Sequence, residues 1–280
     1  MQMMKVAGLM TGLTLLMVGL GSWFGGQSGA ILMFALAAVM NFGTYWFSDR
    51  AVLRMYRART VERSEAPGLY EMVERLARRA ELPMPTVAIA PQQQPNAFAT
   101  GRSPAKGVVC FTEGILQALS REELEGVTAH ELAHIKHRHM LVSTFAATMA
   151  GAVTMLAVVA RWGFIFAGGR GDADRNPFAL LAMAIVTPIA AVILQLAISR
   201  QNEFQADRTA AGIAGGPRGL SRALRKLDSY AGQIPMDVNP AGAQLAIVNP
   251  LKGRRGLGLR SLFSTHPSMD ERIARLEELA

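Results

Sequence analysis

The segment His130-Glu131-Leu132-Ala133-His134 carries the residue types that a hydrolytic metal site requires. Residues four apart share one face of a helix, so His130 and His134 can direct their imidazoles at one point. Two such imidazoles with an adjacent glutamate are typical of the zinc site of a metalloprotease, in which the glutamate is the general base. Glu131 is therefore the candidate catalytic residue.

The residues before this motif predict the helix that it needs. Ser120 and Glu123 have the spacing of a capping box, and helix-forming residues follow with no proline. The alternative is a structural helix with two incidental histidines, because chance gives this pattern in on the order of one per cent of chains of this length. Four of the five histidines lie between positions 130 and 139, which favours a metal site.

The composition indicates a membrane protein. Half of the 280 residues are hydrophobic, the mean hydropathy is +0.21, and the apolar residues occur in blocks. The net charge of +8 comes from basic residues beside these blocks, which favours membrane anchoring over nucleic-acid binding. The one cysteine, Cys110, excludes an intramolecular disulfide and lies in an apolar run typical of a core.

Four apolar runs predict two transmembrane hairpins, with spans at about 6–24 and 30–47, then 141–160 and 178–198. A signal peptide is the alternative for the first run, but no cleavage site is clear and a second run follows the short link Gly25–Gly29. Arginines follow the second span closely and Lys5 precedes the first. By the positive-inside rule, both termini and the motif are cytoplasmic.

Between the hairpins, the pattern predicts a helix near Ala66–Glu81 and strands at Thr86–Ala90, Asn96–Gly101 and Lys106–Phe111. We expect these strands to form a small antiparallel sheet just before the helix that carries His130 and His134, called the metal helix below. Asn96–Gly101 is either an ordinary hairpin strand or an edge strand that binds an extended peptide through main-chain hydrogen bonds.

Two acidic residues after the fourth apolar run complete the predicted site. Glu203 and Asp207 are four apart and share a helical face. A hydrolytic zinc site takes three protein ligands and leaves one position open, so Glu203 is the third candidate ligand. Asp207 would hold a histidine ring through its free N–H. A solvated helix face is the alternative.

In the C-terminal part, the pattern predicts an amphipathic helix at Leu220–Tyr230. A substrate flap is expected at Ala231–Gly258, and a further helix at Met269–Leu279. His266 precedes the last helix. It is either a structural histidine or a donor to the oxyanion of the transition state.

In these motifs the chain resembles the HtpX family of bacterial membrane zinc metalloproteases, which is related to the CAAX prenyl endoproteases. The matching segments are Pro95–Gly101, His130–His134, Glu203–Asp207, Asn249-Pro250 and Ser264–Pro267. The resemblance implies one zinc ion held by His130, His134 and Glu203, with Glu131 catalytic and His266 stabilising the transition state. It also implies that substrate pairs with a strand made of Asn96, Ala97, Phe98, Ala99 and Thr100.

The resemblance further implies an inner-membrane protein that degrades damaged or misassembled membrane proteins under stress. The chain departs from the family after the motif, where His137-Arg138-His139 replaces the common Asn-x-Asp. His137 could tune or crowd the site, or be an inert surface residue.

The predicted fold is thus a mainly α membrane protein with four transmembrane helices and a zincin-like cytoplasmic catalytic domain containing a small antiparallel sheet. Residues 1–48 and 141–198 form the hairpins, and residues 49–140 and 199–280 form the two parts of that domain. Two alternatives remain. An intramembrane protease of the site-2 type would need the motif within lipid, where its charged neighbours are costly. A membrane scaffold or sensor would have a structural metal closed by a fourth ligand, His137 or His266.

Overall fold

The computed structural model describes residues 2–150, 200–231, 245–247 and 267–279. Its first two helices, α1 (Gln2–Trp23) and α2 (Gly26–Met55), are long and apolar enough to cross a membrane. They meet at Gly26, whose φ of 57° and ψ of −145° suit glycine because it has no side chain. The first predicted hairpin is therefore present as two helices, but its turn is narrower than the expected five-residue link.

Close packing and one polar contact join the two helices. A Cβ atom on Gly21 would lie 2.4 Å from the Gly29 carbonyl oxygen, so the backbones approach at a pair of glycines. Asn41 Nδ2 donates to Thr14 Oγ1 at 2.9 Å. Large apolar side chains on the outer surface are exposed, as on a helix that faces lipid; they include Trp23, Ile31, Phe34 and Phe42.

Helix α3 (Pro67–Arg79) leads into a four-stranded mixed sheet. Its strands are β1 (Arg59–Thr60), β2 (Thr86–Ala90), β3 (Ala97–Thr100) and β4 (Val108–Thr112), in the order β1-β2-β4-β3. The prediction of an antiparallel sheet is wrong for β2 and β4, which pair in parallel. The chain places β3 on the far side of β4 rather than between β2 and β4, so β2 and β4 run the same way.

The sheet lies between the C-terminal end of α2 and the helices of the site. On one face, Val52 and Tyr56 from the end of α2 and just beyond it pack with Phe98, and the Tyr56 and Phe98 ring centroids are 4.3 Å apart. A second core contains Leu76 of α3 and Leu132 of the metal helix. Helix α2 thus runs from the apolar hairpin directly onto the sheet.

After the short α4 (Glu113–Ala118), the metal helix α5 (Arg121–Lys136) begins at the predicted capping box. Ser120 Oγ accepts from the Glu123 N–H, and a Glu123 carboxylate oxygen accepts from the Ser120 N–H at 2.7 Å. Helices α6 (His139–Ala150), α7 (Arg200–Ala214), α8 (Arg218–Ala231) and α9 (Met269–Glu277) follow. Residues 141–150 of the third predicted span are helical, whereas its remainder and the span at 178–198 lie outside the described residues.

Gly126 permits a close contact between α5 and α8. A Cβ atom there would lie 2.3 Å from the Leu220 backbone nitrogen of α8. The residue that weakens the predicted helix locally is therefore the one that lets α8 pack against it.

Candidate metal centre

Helices α5 and α7 bring three of the predicted ligands together. The Nε2 atoms of His130 and His134 are 3.0 Å apart. Glu203 places one carboxylate oxygen 3.7 Å from His130 Nε2 and the other 3.6 Å from His134 Nε2. One ligand atom from each residue lies within 4.8 Å of the others. Two imidazoles and one carboxylate are a donor set that fits a hydrolytic metal ion with one position left for water or substrate.

Asp207 contacts the ring of His130 from behind. Its Oδ1 lies 2.9 Å from His130 Nδ1. This hydrogen bond places the proton on Nδ1, so Nε2 faces Glu203 and His134, with Arg272 Nη2 3.3 Å away. The structure thus places Asp207 against the His130 ring, and its orienting role stays a prediction.

Arg272, which was not among the predicted site residues, is fully buried in the site. Its Nε lies 2.9 Å from Asp207 Oδ2 and its Nη2 lies 2.7 Å from Asp207 Oδ1. Its Nη1 lies 3.5 Å from a Glu203 oxygen. A signal was available, because Arg272 lies between Met269 and Leu276 on the apolar stripe of α9. A charge on a packing face needs a partner, and Asp207 and Glu203 are acids that supply it.

The pKa values follow from burial and these charges. Burial raises the pKa of Glu131 to about 7, although the charge of His130 opposes this. Burial alone would raise the pKa of Asp207, but the charge and hydrogen bonds of Arg272 lower it to about 2. Burial lowers the pKa of His134, which keeps its ring neutral and able to bind a cation. Burial and Arg272 oppose protonation of His130, yet Asp207 and Glu203 outweigh them and raise its pKa.

Strand β3 lies beside Glu131. It is the last strand in the sheet order, so among the described residues it is an edge strand, which is one of the two alternatives that the sequence left open. The Ala99 backbone donates a hydrogen bond to Glu131, which connects the candidate base to this edge. The Glu131 side chain is otherwise buried, with 4% of its residue surface exposed.

The hydrogen-bond pattern identifies which residues of β3 face outward. The Thr112 N–H donates to the Asn96 carbonyl at 2.9 Å, and the register then pairs Phe98 with Cys110 and Thr100 with Val108. Antiparallel pairs alternate between bonded and non-bonded positions, so Ala97 and Ala99 direct their backbone groups away from β4.

The side chains of the predicted substrate strand are already engaged. Phe98 packs on Tyr56 across the sheet, and Thr100 Oγ1 is 3.0 Å from Thr144 Oγ1 of α6. Asn96 Oδ1 accepts from the Ile247 N–H at 3.1 Å. Any pairing with a peptide would therefore use the backbone of β3 rather than these side chains.

The remaining histidines differ in position. His137 Nε2 lies 2.9 Å from Thr209 Oγ1, so His137 does not supply a fourth ligand in this geometry. His139 is buried, and its Nδ1 lies 3.2 Å from His134 Nδ1. His266 and the predicted flap, apart from residues 245–247, lie outside the described residues.

The exposed Glu122 and Lys136 at the two ends of α5 argue against a motif embedded in lipid.

The sequence of this chain is similar to those of known proteins, and the similarity identifies its family. Residues 63–280 match Peptidase family M48. The chain belongs to peptidase family M48. A Protease HtpX homolog of Gemmatimonas aurantiaca is 56% identical over 282 residues, covering 100% of both chains. One of Desulfatibacillum aliphaticivorans is 53% identical over 271 residues, covering 96% of this chain and 86% of that protein.

Membership of family M48 makes the protein a membrane-associated metalloprotease and confirms the predicted resemblance to HtpX. Among solved structures, the crystal structure of S. mikatae Ste24p matches with a TM-score of 0.43 and 17% identity, over 88% of this chain and 64% of that chain.

Proposed function

We propose that the protein is a zinc endopeptidase whose ion, one per chain, is held by His130, His134 and Glu203. The observation that carries this proposal is the convergence of the three ligand atoms within 4.8 Å, beside a buried glutamate on the same helix. A bound zinc ion would polarise the scissile carbonyl and make water acidic enough to ionise near pH 7.

In this proposal Glu131 takes the proton of the attacking water and passes it to the leaving amine. Its burial and raised pKa suit both roles near neutral pH. Asp207 keeps the His130 ring oriented, and Arg272 holds Asp207. His266 is proposed to stabilise the transition state, as the resemblance implies.

The substrate is proposed to bind as an extended strand along the outer edge of β3. The outward backbone groups of Ala97 and the outward carbonyl of Ala99 would pair with its main chain, while the Ala99 N–H stays bonded to Glu131. The Ala99 contact to Glu131 supports this, since a peptide at that edge would lie beside the base.

We also propose the membrane arrangement expected from the sequence. The protein would be a multi-pass bacterial inner-membrane protein, with spans in residues 1–48 and 141–198. The two parts of its catalytic domain, residues 49–140 and 199–280, would be cytoplasmic with both termini. The apolar α1 and α2, and the arginines that follow them, support this orientation. Its substrates would be damaged or misassembled membrane proteins, as in stress-related quality control.

Glu131→Gln tests the chemistry. Purified in detergent and loaded with zinc, this variant should keep one zinc per chain but lose roughly 100-fold or more of its casein cleavage. Glu203→Ala should bind zinc more weakly, because it removes a charged ligand. Glu122→Gln, at an exposed position of the same helix, should keep both zinc and activity.

A chelator added to the wild type should abolish cleavage, and zinc should restore it. Substantial cleavage by zinc-loaded Glu131→Gln would remove Glu131 from its role. Unchanged zinc affinity in Glu203→Ala would remove Glu203 from the site.

A further inference from the structure

The second histidine of the motif has its own partner. His134 Nδ1 faces His139 Nδ1 at 3.2 Å, and His139 is only 3% exposed. Two ring nitrogens at this distance form a hydrogen bond only when one of them carries a proton. A histidine that binds a cation through Nε2 has its proton on Nδ1. His134 is therefore the donor, His139 Nδ1 is the acceptor, and the proton of the neutral His139 ring is on its Nε2.

The hydrogen bonds continue from His139 towards the surface. The Gln205 side chain bonds to His139, and its Nε2 lies 3.4 Å from His137 Nδ1. His137 Nε2 in turn lies 2.9 Å from Thr209 Oγ1. One direction satisfies every link: His139 donates to the Gln205 carbonyl, Gln205 donates to His137, and His137 donates to Thr209. The direction is fixed at His134, where Nε2 is left free.

A strained turn brings His139 into this position. Helix α5 ends at Lys136 and α6 begins at His139. Between them, Arg138 has a φ of 59°, a left-handed conformation that costs a non-glycine residue about 1–2 kcal/mol. The turn directs the His139 ring back under His134, whereas a continued helix would place position 139 on another face.

We propose that His139, held by Gln205, is the positioning residue for the metal ligand His134, in the way that Asp207 positions His130. This inference rests on the proposed function, because it takes His134 to bind zinc through Nε2. The two ligand rings then differ in kind. An anionic carboxylate orients His130, whereas a neutral ring orients His134.

Zinc affinity tests this role, measured in detergent by competition with a chelating dye. His139→Leu removes the acceptor and should weaken zinc binding by roughly 10- to 100-fold. His139→Asn retains an acceptor near the position of Nδ1, and its affinity should return to near the wild-type value. Arg138→Lys is the matched control, because it changes an exposed side chain in the same turn and should leave the affinity unchanged.

The thermal unfolding midpoint of the metal-free variants separates positioning from simple packing. His139→Leu should match the metal-free wild type. Wild-type zinc affinity in His139→Leu, or an affinity in His139→Asn as weak as in His139→Leu, would overturn the inference. A lower metal-free midpoint with unchanged zinc affinity would also overturn it. Glu203→Ala distinguishes the two proposals: if it loses zinc while His139→Leu does not, only the role of His139 fails.

Discussion

The guanidinium of Arg272 binds both carboxylate oxygens of Asp207, with Nε 2.9 Å from Oδ2 and Nη2 2.7 Å from Oδ1. Asp207 also bonds to His130, so the last described helix takes part in orienting a proposed ligand on α5. Arg272 is a buried cation that faces the cluster of Glu131, Glu203 and Asp207. It therefore allows three acids to be buried together.

Arg272→Leu should strongly destabilise the protein. It leaves Asp207 buried without its cation, which costs about 3–5 kcal/mol. Arg272→Lys should lie between this variant and the wild type, because lysine keeps the charge but lacks the two-pronged geometry. Denaturant unfolding of the metal-free protein in detergent measures both. The control is Arg275→Leu, an exposed position one turn away, where the loss should be about 1 kcal/mol or less. Equal stability of Arg272→Leu and Arg275→Leu would contradict this prediction.

Gly126→Ala should loosen the contact between α5 and α8. The added methyl group meets the Leu220 backbone at 2.3 Å, so the helices must separate, at a cost of about 1–3 kcal/mol. Gly212→Ala on α7 is the matched control, since nothing lies within 4 Å of its new Cβ atom. There the better helix propensity of alanine should stabilise the protein by about 0.5–1 kcal/mol. Unfolding midpoints compare the two variants, and a shift of the same sign in both would refute the packing argument.

Ala97→Pro should impair substrate binding while zinc stays bound. Proline removes an outward N–H of β3 but is tolerated at a sheet edge, and the Ala99 N–H that donates to Glu131 is kept. Loss of one main-chain hydrogen bond should lower kcat/KM for a peptide substrate by roughly 3- to 10-fold. Ala97→Gly keeps the N–H and should retain near-normal kcat/KM. Zinc content and unfolding midpoint check that both variants are folded, and unaltered kinetics in Ala97→Pro would count against pairing at this edge.

Cysteine labelling in cells tests the membrane orientation. The native Cys110 is buried and is replaced by alanine to give a background without thiols. Ser28→Cys, an exposed position in the first turn of α2, should react with a membrane-impermeant maleimide added outside the inner membrane. Ser64→Cys, in the exposed segment before α3, should react only after permeabilisation. The reverse pattern would place the catalytic domain on the opposite side.

Local patterns predicted much of the fold. The capping box at Ser120, the strand at Thr86–Ala90 and the helix near Ala66–Glu81 each depend on neighbouring residues, and the structure has all three. The sheet order depends instead on where β3 lies relative to β4, which the alternation of side chains does not specify. That is why the prediction of an antiparallel sheet failed.

The site residues likewise fall into those that local spacing predicts and those that only tertiary packing brings together. The spacing of His130 and His134, and of Glu203 and Asp207, is a helical pattern within one segment. Arg272 lies 65 residues after its partner Asp207, and only tertiary packing brings them together. The role of His139 was not predicted for another reason. It depends on a turn in which Arg138 has a left-handed conformation, and an arginine in the sequence does not indicate that conformation as a glycine would.

Helix α2 has 30 residues and is about 45 Å long, whereas the hydrocarbon core of a bilayer is about 30 Å thick. In the proposed orientation, roughly 15 Å of rigid rod rises above the lipid and supports the sheet through Val52 and Tyr56. The metal centre would nevertheless lie near the bilayer surface, because His139 at the start of α6 contacts His134 and the third proposed span begins two residues later. A polypeptide would then meet the zinc ligands close to the point where it leaves the lipid, so membrane proteins with an unfolded segment emerging at that surface would be the accessible substrates.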